Sequence, residues 1–121
     1  MKTVLLVEDD PHLLRVYRTL LESEGFRVLE AADGEAGAAL AAEARPDCIV
    51  ADTMMPRLDG IAMLERLAAE GHGAPTVMVS AVHRMPEMSV LSKLGVVRVF
   101  GKPFAFDEFL DAVKAVCVSE K

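Results

Sequence analysis

Basic side chains are the minority in this chain. Thirteen Lys and Arg face nineteen Asp and Glu, a formal charge of −6, which argues against nucleic acid or an anionic membrane as a direct partner of this domain. Cysteine is scarce. Cys48 falls in a strand-like run and Cys117 on the apolar stripe of the last helix, which reads as two buried thiols rather than a disulfide framework and suits a reducing cytoplasm. No apolar stretch approaches the about 20 residues that cross a bilayer, and Met1-Lys2 leads into a short strand rather than a secretory leader. His12, His72 and His83 lie apart, without metal-ligand spacing. Repeats, low-complexity tracts and linkers are also missing. At 121 residues, with 52% hydrophobic and 26% charged composition, the chain is expected to be one domain, residues 1–121, large enough to bury a real core.

What is present is an alternation of two periodicities. Strand-like runs lie near residues 3–7, 26–30, 47–51, 75–79 and 96–100, and helix-like segments near 11–24, 34–43, 59–70, 85–94 and 106–118. Five such units predict a mostly parallel α/β sheet with helices on both faces. Leu13, Leu14, Tyr17, Leu20 and Leu21 form one stripe ended by Gly25. Phe109, Leu110, Val113, Val116 and Cys117 repeat that spacing behind Asp107 and Glu108, which suit a helix N-terminus. Pro86 suits the first turn of the fourth helix and Gly95 its end. The Ala-rich second helix, with Gly37, has a small apolar face and is expected to pack loosely. Most methionines read as core filler or loop residues, with Met85 and Met88, which flank Pro86, expected to seat the fourth helix.

The polar residues that end the apolar runs carry the chemistry. Val4-Leu5-Leu6-Val7 ends in Glu8-Asp9-Asp10, Cys48-Ile49-Val50-Ala51 in Asp52, Val77-Met78-Val79 in Ser80, and Val96-Val97-Arg98-Val99-Phe100 in Gly101-Lys102-Pro103. In open α/β folds, ligands gather at the carboxyl ends of the strands. If the first and third strands pair, Glu8, Asp9 and Asp52 meet, and three carboxylates at that range favour either protons or a cation. An all-oxygen donor set points to Mg²⁺. Asp52 is then a candidate nucleophile for a phosphoryl group, with Ser80 as hydrogen-bond donor and Lys102 as counter-charge. Read singly, the acids cap a helix, Ser80 ends a strand and Lys102 is a surface lysine; capping by Asp10 holds in either case. A nucleotide binder would need glycines where Glu8-Asp9-Asp10-Pro11 stands. A Mg²⁺ phosphohydrolase would want a second acid where Thr53-Met54 stands.

Leu6-Val7-Glu8-Asp9-Asp10-Pro11, Asp52-x-x-Met55-Pro56-x-x-Asp59-Gly60, Ser80-Ala81 and Lys102-Pro103-Phe104 together resemble the receiver domains of two-component response regulators, the CheY-like superfamily, over roughly residues 3 to 117. The resemblance implies a flavodoxin-like (βα)5 fold, doubly wound, with strand order 2-1-3-4-5. It implies phosphorylation of Asp52, with Ser80 and Lys102 binding the phosphoryl group. Asp9 is implied as a direct Mg²⁺ ligand, Glu8 as a ligand through water and Met54 as one through its backbone carbonyl. It implies a cis peptide at Lys102-Pro103. A sensor histidine kinase or histidine phosphotransfer protein is the implied donor, and a downstream output domain or protein the implied target. The chain would assist its own phosphorylation and dephosphorylation without being a turnover enzyme. The alternative is a receiver-like interaction module indifferent to phosphorylation.

The chain departs from the family pattern at Val99 and at Val97-Arg98, and mildly at Ser80, where Thr is commoner. Val99 stands where an aromatic switch residue is usual, and Phe100, one residue out of phase, should face the other side of the sheet. Val97-Arg98 replaces an acidic pair that helps build a symmetric dimer in many DNA-binding regulators. Met54 and Val82, two residues beyond Asp52 and Ser80, are apolar and unable to orient an attacking water, which implies a long-lived acyl phosphate. Val82→Glu is therefore expected to shorten its half-life; an unchanged rate of dephosphorylation would contradict that reading.

Overall fold

The computed structural model describes residues 1–53, 58–80, 87–102 and 104–118. Strands and helices alternate along the chain. They are β1 (Thr3–Val7), α1 (Pro11–Ser23), β2 (Arg27–Ala31), α2 (Gly34–Ala44), β3 (Cys48–Asp52), α3 (Gly60–Ala69), β4 (Thr76–Ser80), α4 (Met88–Lys93), β5 (Val96–Gly101) and α5 (Phe106–Val118). Every strand pairing is parallel and the order is β2-β1-β3-β4-β5, the flavodoxin-like arrangement expected from the motifs. Every residue of β3 and β4 is buried, as a parallel sheet covered on both faces requires.

The two-residue period of the strands sorts their side chains into two cores. Val4, Leu6, Val50, Val77 and Phe100 meet Tyr17, Leu21, Phe109 and Val113 of α1 and α5. Leu5, Val7, Ile49 and Met78 meet Ala38, Ala41, Met63 and Leu67 of α2 and α3, with Leu91 of α4. Phe100 belongs to the first core and Val99, half-buried, packs against the second. The out-of-phase reading of Phe100 is therefore correct, and no aromatic ring stands at the usual switch position. Arg98 lies over the Phe100 ring at 4.6 Å, and Val97 is exposed.

Local signals account for the helix ends. Asp10 caps α1 by accepting the His12 and Leu13 N–H groups at 2.9 and 3.4 Å, with Pro11 in the first turn where its missing N–H costs nothing. Asp33 and Asp59 cap α2 and α3 in the same way through Ala36 and Ala62. Gly95 ends α4 at φ 92°, a left-handed conformation that glycine adopts without steric penalty.

Three expectations change. The second helix packs tightly, not loosely: a Cβ on Gly37 would stand 2.8 Å from Met63 Sδ and 3.1 Å from Val7 Cγ2, and one on Gly34 would collide with the Leu58 carbonyl. Small residues shrink the apolar face and let the backbones close in. The fourth helix begins at Met88 with Glu87 at its N-cap, so it is shorter than the 85–94 segment; Met85 and Pro86 lie outside the described residues. Met88 is exposed rather than seated in the core.

Both cysteines are free and buried, as expected. The structure also sets them side by side: a hydrogen bond with Cys117 and burial push the Cys48 thiol well above its ordinary range. Cys48 therefore lacks the character of a reactive thiolate.

Candidate functional site

Four parallel strands end at one edge, and the residues there are those the sequence singled out. Glu8 follows β1, Asp52 closes β3, Ser80 closes β4 and Lys102 follows β5. The register is tied at the edge itself. The Glu8 N–H donates to the Ala31 carbonyl at 3.0 Å, Thr53 N–H to Val79 at 3.3 Å and Lys102 N–H to Ser80 at 2.7 Å. Gly60, at the start of α3, lies so close to the Asp52 carbonyl that a Cβ would overlap it. That contact explains physically why glycine follows Asp59.

The charged groups converge. Lys102 Nζ is 2.9 Å from Asp52 Oδ2 and 3.5 Å from Glu8 Oε1. Glu8, Asp9 and Asp52 offer oxygens within 4.8 Å of one another. Glu8 and Asp52 are 2% and 6% exposed, whereas Asp9 faces solvent. Glu8 Oε2 accepts the Asp10 N–H at 3.1 Å, but its buried Oε1 accepts no hydrogen bond among the described residues. A buried carboxylate oxygen left with only the 3.5 Å ion pair to Lys102 and no hydrogen bond is costly. Burial pushes the Glu8 carboxyl up to about 7, with the Asp52 charge adding to the shift and the Asp10 N–H and Lys102 working against it. Burial acts to lower Lys102, yet its hydrogen bond to Asp52 and the charges of Glu8 and Asp52 outweigh that and hold the ammonium above its ordinary range.

The donor set fits a hard divalent cation. It is all oxygen, it includes one buried oxygen lacking a hydrogen bond, and it holds more negative charge than one lysine offsets. Met54, whose backbone carbonyl was implied as a further ligand, lies outside the described residues, as do Val82, His83 and Pro103 with its peptide bond.

Ser80 is buried beside the acids, and its partner there is one the sequence did not suggest. The Thr53 hydroxyl lies 2.9 Å from Ser80 Oγ. A threonine after a strand-ending aspartate reads as an ordinary loop residue; only the sheet register reveals the pairing. Beside Lys102 a hollow of about 400 Å³ opens between Leu13, Tyr17, Phe104 and Phe106. Tyr17 stacks on Phe104 and packs on Phe109, and burial pushes its hydroxyl up to about 12.

A parallel sheet in this order, with an acid cluster and a lysine at its carboxyl edge, defines the flavodoxin-like α/β class. Residues 4–114 match the response regulator receiver domain family, and the chain belongs to it. Over 93% of its length it is 34% identical to a probable C4-dicarboxylate response regulator, DctR, of Priestia megaterium. Over 96% it is 32% identical to RpaA of Synechocystis, a DNA-binding dual master transcriptional regulator. The matches cover 50% and 49% of those proteins, so the chain spans about half the length of these relatives. Among solved structures, the receiver domain of Francisella response regulator 1452 superposes with a TM-score of 0.91 at 30% identity, covering 100% of both chains.

The raised Glu8 carboxyl ties stability to pH. The folded chain holds this proton more tightly than the unfolded chain, so the contribution is full below about 4.5 and is lost as pH rises through about 7. In chelator-treated buffer at pH 8, Glu8→Gln is expected to be more stable than the wild type by on the order of 1–3 kcal/mol and so to unfold at higher temperature. The two should converge near pH 5. A constant gap between their melting curves across that range would contradict the assignment.

Proposed function

We propose that Asp52 is the phosphoacceptor of this receiver and that residues 1–121 act as one domain. The observation that carries the reading is the 2.9 Å contact between Lys102 Nζ and Asp52 Oδ2 inside a cluster of three carboxylates. A carboxylate oxygen of Asp52 attacks the phosphorus of a phosphohistidine on a sensor kinase or phosphotransfer protein. An O–P bond forms as the N–P bond breaks, and the electron pair leaves with the imidazole. Lys102 exchanges part of its contact with Asp52 for a phosphoryl oxygen, and the Ser80 hydroxyl donates to another. Mg²⁺ is the cation proposed for Glu8, Asp9, Asp52 and the Met54 carbonyl; when bound it supplies charge neutralisation and orients the incoming phosphoryl group. The chain turns over no external substrate.

The output follows as a change of surface. Phosphorylation adds charge at the sheet edge and draws Ser80 and Lys102 toward it, which shifts a two-state surface toward a partner-binding form. The partner is a downstream output domain or protein, consistent with relatives about twice this length, among them proteins named as transcriptional regulators. The proposed setting is the cytoplasm. Among the described residues, no helix is long and apolar enough to cross a membrane.

The test is intact mass after incubation with acetyl phosphate, with and without Mg²⁺, beside Asp52→Asn. One phosphoryl adduct that requires Mg²⁺ and is lost in the variant is the expected result. An adduct of equal yield in Asp52→Asn would overturn the assignment, and so would the absence of an adduct with both acetyl phosphate and phosphohistidine donors.

A further inference from the structure

Thr53 is held at three atoms. Its N–H donates to the Val79 carbonyl at 3.3 Å, its carbonyl accepts the Gly60 N–H at 3.1 Å, and its hydroxyl donates to Ser80 Oγ at 2.9 Å. Thr53 and Ser80 are 5% and 2% exposed. The two backbone bonds fix Thr53 to β4 and to the start of α3 whether or not the side chain carries a hydroxyl. Ser80 is fixed from its other side, because its carbonyl accepts the Lys102 N–H at 2.7 Å. The contact between the two hydroxyls is thus separable from the scaffold that brings them together.

We infer that Thr53 is a positioning residue for Ser80: its hydroxyl donates to Ser80 Oγ and directs the Ser80 proton toward a phosphoryl oxygen on Asp52. The inference rests on the reading of Asp52 as phosphoacceptor. A hydroxyl has one proton to give and two lone pairs to receive, so Ser80 accepts from Thr53 and donates elsewhere at once. Bonds in series also polarise one another in a buried site, which makes Ser80 the better donor.

The competing arrangement has Ser80 abandon Thr53 in order to reach the phosphoryl group. Among the described residues the Thr53 hydroxyl has no other partner, so this would leave a buried donor unsatisfied, which costs more than an ordinary hydrogen bond returns. Keeping both contacts avoids the loss. Ser80 therefore keeps its Thr53 contact as it is drawn toward the phosphoryl group, in a Thr53–Ser80–phosphoryl relay. Val99, the register partner of Met78 one residue before Val79, is aliphatic and adds no swinging ring to this pair.

The experiment measures two quantities with Mg²⁺ present: the rate of adduct formation from acetyl phosphate, and the affinity for beryllium fluoride as a phosphoryl analogue. It compares wild type, Thr53→Val, Thr53→Ser, Ser80→Ala and the Thr53→Val/Ser80→Ala double variant, each first shown to unfold cooperatively. Thr53→Val is expected to lower both quantities roughly threefold to tenfold, the worth of one hydrogen bond. Thr53→Ser should restore them, and Thr53→Val should add nothing once Ser80 is alanine. An equal loss in both backgrounds would mean a purely structural role and overturn the inference. No change in Thr53→Val would also overturn it, and a faster or tighter variant would show that Ser80 exchanges partners instead. A wild type that forms no adduct and binds no analogue overturns the phosphoacceptor reading, and this inference with it.

Discussion

Three carboxylates are brought together at the carboxyl edge of the sheet by strand register, and the burial of two of them governs the site. Glu8 and Asp52 end adjacent central strands, so the pairing that builds the core forces their charges into proximity. One lysine offsets part of that charge from 2.9 Å. Burial, with a smaller contribution from the Asp52 charge, raises the Glu8 carboxyl, and one Glu8 oxygen has no hydrogen bond among the described residues. The apolar core bears this cost because β1, β3 and β4 are buried almost throughout. A site built this way is held open to cations by the same contacts that stabilise the fold.

The rest of the edge restrains these groups. The Asp10 N–H holds Glu8 by one oxygen, while Asp10 itself caps α1. Gly60 lets α3 start directly against the Asp52 carbonyl, where any side chain would push it away. Ser80 is fixed through its carbonyl by Lys102 and through its hydroxyl by Thr53. These supports are short and mostly backbone. A change of charge at Asp52 is therefore felt first by Lys102 and Ser80, on β5 and β4, and the α4 side of the molecule packs against those strands.

Much of this was legible from the chain alone. Short apolar runs that stop at polar residues locate strand ends, and alternation between strand-like and helix-like periods fixes a parallel sheet. Glu8, Asp9, Asp52 and Lys102 were identified because they follow apolar runs at strand ends, where ligands gather in an open α/β fold, and because they sit in motifs that resemble those of receiver domains. What stayed hidden depends on contacts distant in sequence. Thr53 meets Ser80 across 27 residues, and neither residue type is unusual where it stands. The close seat of α2 was misread because a small apolar face was equated with loose packing, when Gly34 and Gly37 allow the backbones to approach. The start of α4 was misplaced because Pro86 offered a plausible first turn, whereas Glu87 is still extended and the helix begins at Met88.

The claim that the edge is an acid cluster completed by a divalent cation is tested most directly by thermal unfolding at pH 8 as Mg²⁺ is added to chelator-treated protein. Sodium chloride at matched ionic strength serves as the control, with Asp9→Asn alongside. A ligand bound only by the folded state raises the midpoint in proportion to its occupancy. The account predicts a saturable rise with Mg²⁺ that sodium does not reproduce and that Asp9→Asn weakens. An equal rise with sodium would reduce the effect to screening of surface charge and contradict the account.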